Sequence, residues 1–75
     1  MIMTFGEKVR QLRETAEFTQ AELGKMLNMT QRKISYIENG KYEPSLEDIR
    51  SLCKFFSISS DYLLGLPQNL DFPLR

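Results

Sequence analysis

The stretch "QRKISYIENGK", residues 31–41, gathers hydrogen-bonding side chains at a spacing that groups them on one side of a helix. Ile34 and Ile37 define an inward direction, and at about 100° per residue the positions farthest from it are Arg32, Ser35 and Tyr36. Gln31 and Lys33 fall on the flanks. A helix packed on one side, with Arg, Ser and Tyr on the other, carries donors suited to base edges and phosphates. The plain alternative for each of these residues is a solvated helix surface, the usual place for charged side chains.

Other chemistry is hard to build from this composition. There is no histidine, and the single cysteine, Cys53, has no disulfide partner and no imidazole to activate it or to share a metal. No Gly-rich phosphate loop, GxSxG turn or metal-ligand spacing is present. The sequence therefore predicts a protein that is not an enzyme and needs neither cofactor nor metal, with Cys53 a small core residue. Net charge is zero, which alone argues mildly against a polyanion partner. Distribution argues the other way: residues 20–42 hold Lys25, Arg32, Lys33 and Lys41 against Glu22 and Glu38, while Glu43, Glu47, Asp48, Asp61 and Asp71 lie outside.

A chain of 75 residues, 41% hydrophobic and 27% charged, makes one small soluble domain that buries only about 60% of its unfolded surface. No apolar run reaches the roughly 20 residues that span a bilayer. Met1-Ile2-Met3 lacks the regions of a secretion signal, so the expected location is the cytoplasm.

Helix starts punctuate the chain. Thr4 with Glu7, Thr19 with Glu22 and Ser45 with Asp48 are boxes in which a hydroxyl and a carboxylate tie down the first turn from both sides. Ser59 or Ser60, near Asp61, offers a weaker start. Phe5, Val9, Leu12 and Ala16 form one stripe of a first helix. In a fourth, Leu46, Ile49, Leu52, Cys53 and Phe56 face inward, and Glu47, Asp48, Arg50, Ser51 and Lys54 face out. "SDYLLG" makes a short last helix closed by Gly65. Between these, residues 20–27 allow only two turns, a length stable only through packing on a neighbour. Asn28 follows, suited to a left-handed turn, then Met29 turns inward and Thr30 caps the next helix. Gly24 costs about 1 kcal/mol relative to alanine unless close approach demands it. Asn39-Gly40 closes the third helix and Pro44 prevents its continuation.

"TQAELGKMLNMTQRKISYIENGK" resembles the helix-turn-helix of the lambda-repressor and Cro-like family of transcriptional regulators, the XRE family. "EKVRQLRE" before it and "PSLEDIRSLCKFFSISSDYLLG" after it resemble the family's first, fourth and fifth helices. The resemblance implies an all-α, five-helix lambda-repressor-like DNA-binding domain over residues 1–66, with the helix-turn-helix at helices 2 and 3. It implies base contacts from Gln31, Arg32 and Tyr36, to which the outward side of the helix adds Ser35. Phosphate contacts fall to Gln20, Thr30, Asn39, Gly40 and Lys41, and a structural ion pair joins Arg13 and Glu38; Lys33, by its charge and position on the flank of the helix, is a further expected phosphate contact. The chain departs from the family at Asn28, where glycine is usual in the turn, and at Tyr36, where a small or polar residue often lies. Arg32 suits the O6 and N7 edge of guanine. Gln31 suits adenine or a phosphate, and Tyr36 a thymine methyl, a sugar or the protein itself.

The expected function is sequence-specific double-stranded DNA binding by a repressor, with helix 31–38 in the major groove. One such helix reads only a few base pairs, so a homodimer on paired half-sites is expected. Leu66, Leu70, Phe72 and Leu74 make "LGLPQNLDFPLR", which includes the tail 67–75, too apolar for a free tail. With the fifth helix this tail forms the expected dimer contact, the alternative being that it folds back over its own fourth helix. The rival function is a protein-interaction module, an antitoxin or adaptor on the same fold.

Overall fold

Each helix begins where the chain supplies a hydroxyl and ends where one residue turns left-handed. The computed structural model describes residues 3–66, in which these signals delimit α1 Phe5–Thr15, α2 Gln20–Leu27, α3 Gln31–Glu38, α4 Leu46–Phe56 and α5 Ser60–Leu64. The described residues are helical and contain no strand. The expected tail, 67–75, lies outside them.

Thr4, Thr19 and Ser45 form complete capping boxes with Glu7, Glu22 and Asp48, while Thr30 and Ser59 accept the N–H groups of Lys33 and Tyr62. Each hydroxyl satisfies an N–H that the helix itself cannot, a contribution of about 1 kcal/mol. The opposite ends share one motif. Glu17, Asn28, Gly40, Ser57 and Gly65 have positive φ. In each case the next N–H returns to a carbonyl five residues back: Phe18 to Arg13, Met29 to Gly24, Lys41 to Tyr36, Ile58 to Cys53 and Leu66 to Asp61, at 2.7–3.1 Å. Asn28, at φ 59° and ψ 42°, makes the expected turn.

Val9, Ile37, Leu52 and Leu63 form the centre of the core, one residue each from α1, α3, α4 and α5. Phe5, Leu12, Leu27, Met29, Ile49, Cys53, Phe56 and Ile58 surround them, and Leu23 of α2 and Ile34 of α3 are also sealed from solvent. The rings of Phe18 and Phe55 meet at 5.6 Å, joining the turn after α1 to α4. Lys8 closes the circuit by donating from Nζ to the Tyr62 carbonyl at 2.8 Å, so that a cation sits at the carbonyl end of α5.

Three expectations are corrected. Ala16 is exposed, because α1 ends at Thr15 and Ala16 is its cap. Leu46 is 80% exposed and Asp48 only 6%. Leu52 sets the inward direction of α4; Asp48 lies about 40° from it around the helix and Leu46 about 120°. Charge does not keep Asp48 outside, because Lys33 and Ser45 satisfy its carboxylate.

Two glycines permit contacts no side chain would tolerate. A Cβ on Gly24 would come within 2.5 Å of the Met29 carbonyl oxygen, so the close approach is that of the turn itself. A Cβ on Gly6 would overlap the carbonyl oxygens of Ile37 and Glu38, where α1 abuts the end of α3.

Two substitutions test these helix ends in opposite directions. Ser57→Gly, which relieves a left-handed residue, is expected to raise the unfolding free energy by about 1 kcal/mol. Gly24→Ala is expected to lower it, although helix propensity alone favours alanine by about 1 kcal/mol. Urea unfolding measures both, and a stabilised Gly24→Ala would show that the turn does not press on α2.

Candidate nucleic-acid interface

The seat of α3 determines what it presents. Ile34 and Ile37 are buried on its inner side. At its end Glu38, 7% exposed, accepts from Arg13 Nε at 2.6 Å and Nη2 at 3.2 Å, and from Gln20 Nε2 at 3.0 Å. Arg13 also donates from Nη1 to the Phe18 carbonyl at 2.8 Å. The Glu38 hydrogen bond pushes the Arg13 pKa up, outweighing burial, which acts to lower it. One carboxylate thus ties the end of α3 to α1 and to the start of α2.

With the inner side fixed, the opposite side faces solvent. Gln31 and Arg32 are exposed, Tyr36 is 42% exposed, and Ser35 is half-buried. The structure therefore brings together on one surface the four residues expected to contact bases. Arg32 has no carboxylate within ion-pair distance among the described residues.

The flanking residues divide. Thr30, Gly40 and Lys41 are exposed at the two ends of α3, and the left-handed Gly40 has open space where a side chain would stand. Gln20 is half-buried, with one amide hydrogen committed to Glu38. Asn39 uses its Nδ2 to cap its own helix, donating to the Ser35 carbonyl at 2.9 Å. Lys33 differs most from expectation. Its Nζ lies 3.0 Å from Asp48 Oδ1 and 5.2 Å from the centroid of the Tyr42 ring, instead of extending outward. The hydrogen bond to Asp48 pushes the Lys33 pKa up. Burial works to raise that of Asp48, but the Ser45 backbone N–H and Lys33 together hold it below the usual carboxylate value.

Sequence reasoning missed Asp48 and Tyr42 as partners of Lys33. The available signal was the four-residue spacing from Asp48 to Leu52, which places both on the buried side of α4.

A second surface is apolar. Leu46, Ile49, Cys53 and Leu64, with Arg50 and Ser60, line a shallow cavity of about 370 Å³ between α4 and α5. Leu64, in its lining, and Leu66, just past the end of α5, are each 47% exposed. Cys53 is half-buried there and burial pushes its thiol pKa up, which disfavours the thiolate. Among the described residues no cluster of His, Cys, Asp or Glu could hold a metal ion, and no helix is long and apolar enough to cross a membrane.

Known proteins are similar to this chain in sequence and fold. The HTH-type transcriptional activator BcrR of Enterococcus faecalis is 40% identical over 63 residues, which cover 84% of this chain and 31% of that protein. The repressor protein C2 of Salmonella phage P22 is 39% identical over 59 residues, covering 79% of this chain and 27% of that protein. The chain thus spans about a third or less of the length of these two relatives. A crystal structure of the P22 c2 repressor in complex with a synthetic operator superposes with a TM-score of 0.78 at 36% identity, covering 84% of this chain and 96% of that one. The helix-turn-helix family model matches residues 9–63, and its two helices are α2 and α3. The chain belongs to the XRE-type helix-turn-helix family.

Proposed function

We propose that this chain is a sequence-specific double-stranded DNA-binding transcriptional regulator that sets α3 in the major groove and represses by covering its site. The observation that carries this reading is the two-sidedness of α3: Ile34 and Ile37 are sealed, while Gln31, Arg32 and Tyr36 stand in solvent. Arg32 forks onto a guanine edge, Gln31 and Ser35 contact neighbouring base edges, and Tyr36 packs on a base or sugar beside them. Thr30, Gly40, Lys41, Gln20 and the backbone at Asn39 meet phosphates on either side, which fixes register without reading sequence. The P22 relative supports this reading, since its structure holds a synthetic operator. Such a protein acts by occupancy, not catalysis, in the compartment that holds the genome, the cytoplasm.

The reading includes a homodimer, because one helix covers too few base pairs for a unique site. The apolar surface of Leu46, Leu64 and Leu66 supports this, and we place the contact on α5 and the tail, residues 67–75. The dimer sets the two recognition helices about one helical turn of DNA apart.

Two measurements test these claims. Sites are first selected from random DNA. On the best site, Arg32→Ala is expected to erase preference at one base pair per half-site, a loss of about 1–3 kcal/mol, with thermal unfolding unchanged. Retained preference at every position would remove Arg32 as a reader of bases. The chain cut after Gly65 is expected to sediment as a monomer at concentrations where the intact chain is a dimer. An unchanged dimer would place the contact elsewhere.

A further inference from the structure

Lys33 lies in the first turn of α3, among residues assigned to DNA, yet its charge is directed inward. Its Nζ is 3.0 Å from Asp48 Oδ1. The other oxygen, Oδ2, accepts the Ser45 backbone N–H at 3.0 Å and the Tyr42 hydroxyl at 3.3 Å. The Asp48 side chain is only 8% exposed, whereas that of Lys33 is 32% exposed. The ammonium also rests against the Tyr42 ring, an attraction that strengthens as water is excluded. Three segments therefore meet at one cation: the start of α3, the middle of the loop 39–45, and the first turn of α4.

We propose that Lys33 is a positioning residue that clamps the loop 39–45 against the recognition helix, and not a phosphate ligand. This rests on the DNA-binding reading. Asp48 already neutralises the Lys33 ammonium, so a phosphate gains less from it than from an unpaired cation, and drawing Lys33 fully outward would leave a nearly buried carboxylate without its cation. Lys41, by contrast, is exposed and has no carboxylate partner among the described residues. The backbone of Lys41 is anchored to α3 through the Tyr36 carbonyl at 2.8 Å, and Ser45 to α4 through Asp48, so both ends of the loop are tied. Tyr42 lies between these ties, and the Lys33 and Asp48 contacts hold it. The clamp sets where Lys41 and Gly40 stand relative to Arg32. Its contribution to DNA affinity is to order the loop in advance: without the clamp Lys41 still meets its phosphate in the complex, and ordering the loop then costs free energy on binding.

The salt dependence of binding separates a ligand from a clamp, because each neutralised phosphate adds about 0.9 to the slope of log K against log salt. On a selected site, Lys41→Gln is expected to reduce that slope by about 0.9. Lys33→Gln is expected to leave the slope unchanged while lowering affinity several-fold. A Lys33→Gln slope that falls as far as that of Lys41→Gln overturns the proposal. A second measurement needs no DNA: amide hydrogen exchange of the intact chain. Both Lys33→Gln and Asp48→Asn are expected to speed exchange within residues 40–45 while leaving α1 and α2 as in the wild type. Unchanged exchange in that loop also overturns the proposal. If the wild type shows no site preference and no salt dependence, the DNA-binding reading fails, and the exchange data still decide the clamp.

Discussion

The buried carboxylate of Glu38 is the point on which this fold turns. It lies on the last residue of α3 and receives three N–H donors, two from Arg13 of α1 and one from Gln20 at the start of α2. A carboxylate sealed from water is tolerable only when its oxygens are satisfied and its charge is matched, so this geometry has little latitude. Gly6 adds a steric condition at the same place, since α1 can lie against the Ile37 and Glu38 carbonyls only without a side chain there. Packing of Ile34 and Ile37 supplies the apolar part of the seat. Together these constraints fix both the rotation of α3 and its height over the core, and so determine that Arg32 points away.

The same economy explains how a chain of zero net charge can leave unpaired cations on the outer side of α3 and its loop. Arg13, Lys33 and Lys8 face the protein and are occupied there by Glu38, Asp48 and the Tyr62 carbonyl. Arg32 and Lys41 are exposed and unpaired among the described residues. What a polyanion meets is the local field over α3 and its loop, screened beyond about 10 Å at moderate salt, and not the sum over the chain.

Much of this was legible in the residues because it is encoded locally. Thr4, Thr19 and Ser45 announce helix starts through partners three residues away, and Asn28 announces its turn through a backbone preference of its own. The outward side of α3 followed from two isoleucines and a helical repeat. What escaped depends on distant parts of the chain. Asp48 is buried because Lys33, fifteen residues earlier, is there to meet it. Leu46 is exposed because the neighbours of α4 take a different side of that helix. Glu17 and Ser57 are left-handed without the residue types that favour it, so tertiary packing overrides local preference at both. The role of Gly6 shows only when the end of α3 is brought against it.

A double-mutant cycle across Arg13→Met and Glu38→Gln, read as unfolding free energy in urea, tests the seat of α3 most directly. Each single substitution leaves its partner buried and unmatched and is expected to cost about 3–5 kcal/mol. The double substitution is expected to cost less than the sum of the two by at least about 1 kcal/mol. Losses that add to within about 0.5 kcal/mol would mean that the two residues act independently and that something other than their pairing holds the recognition helix in place.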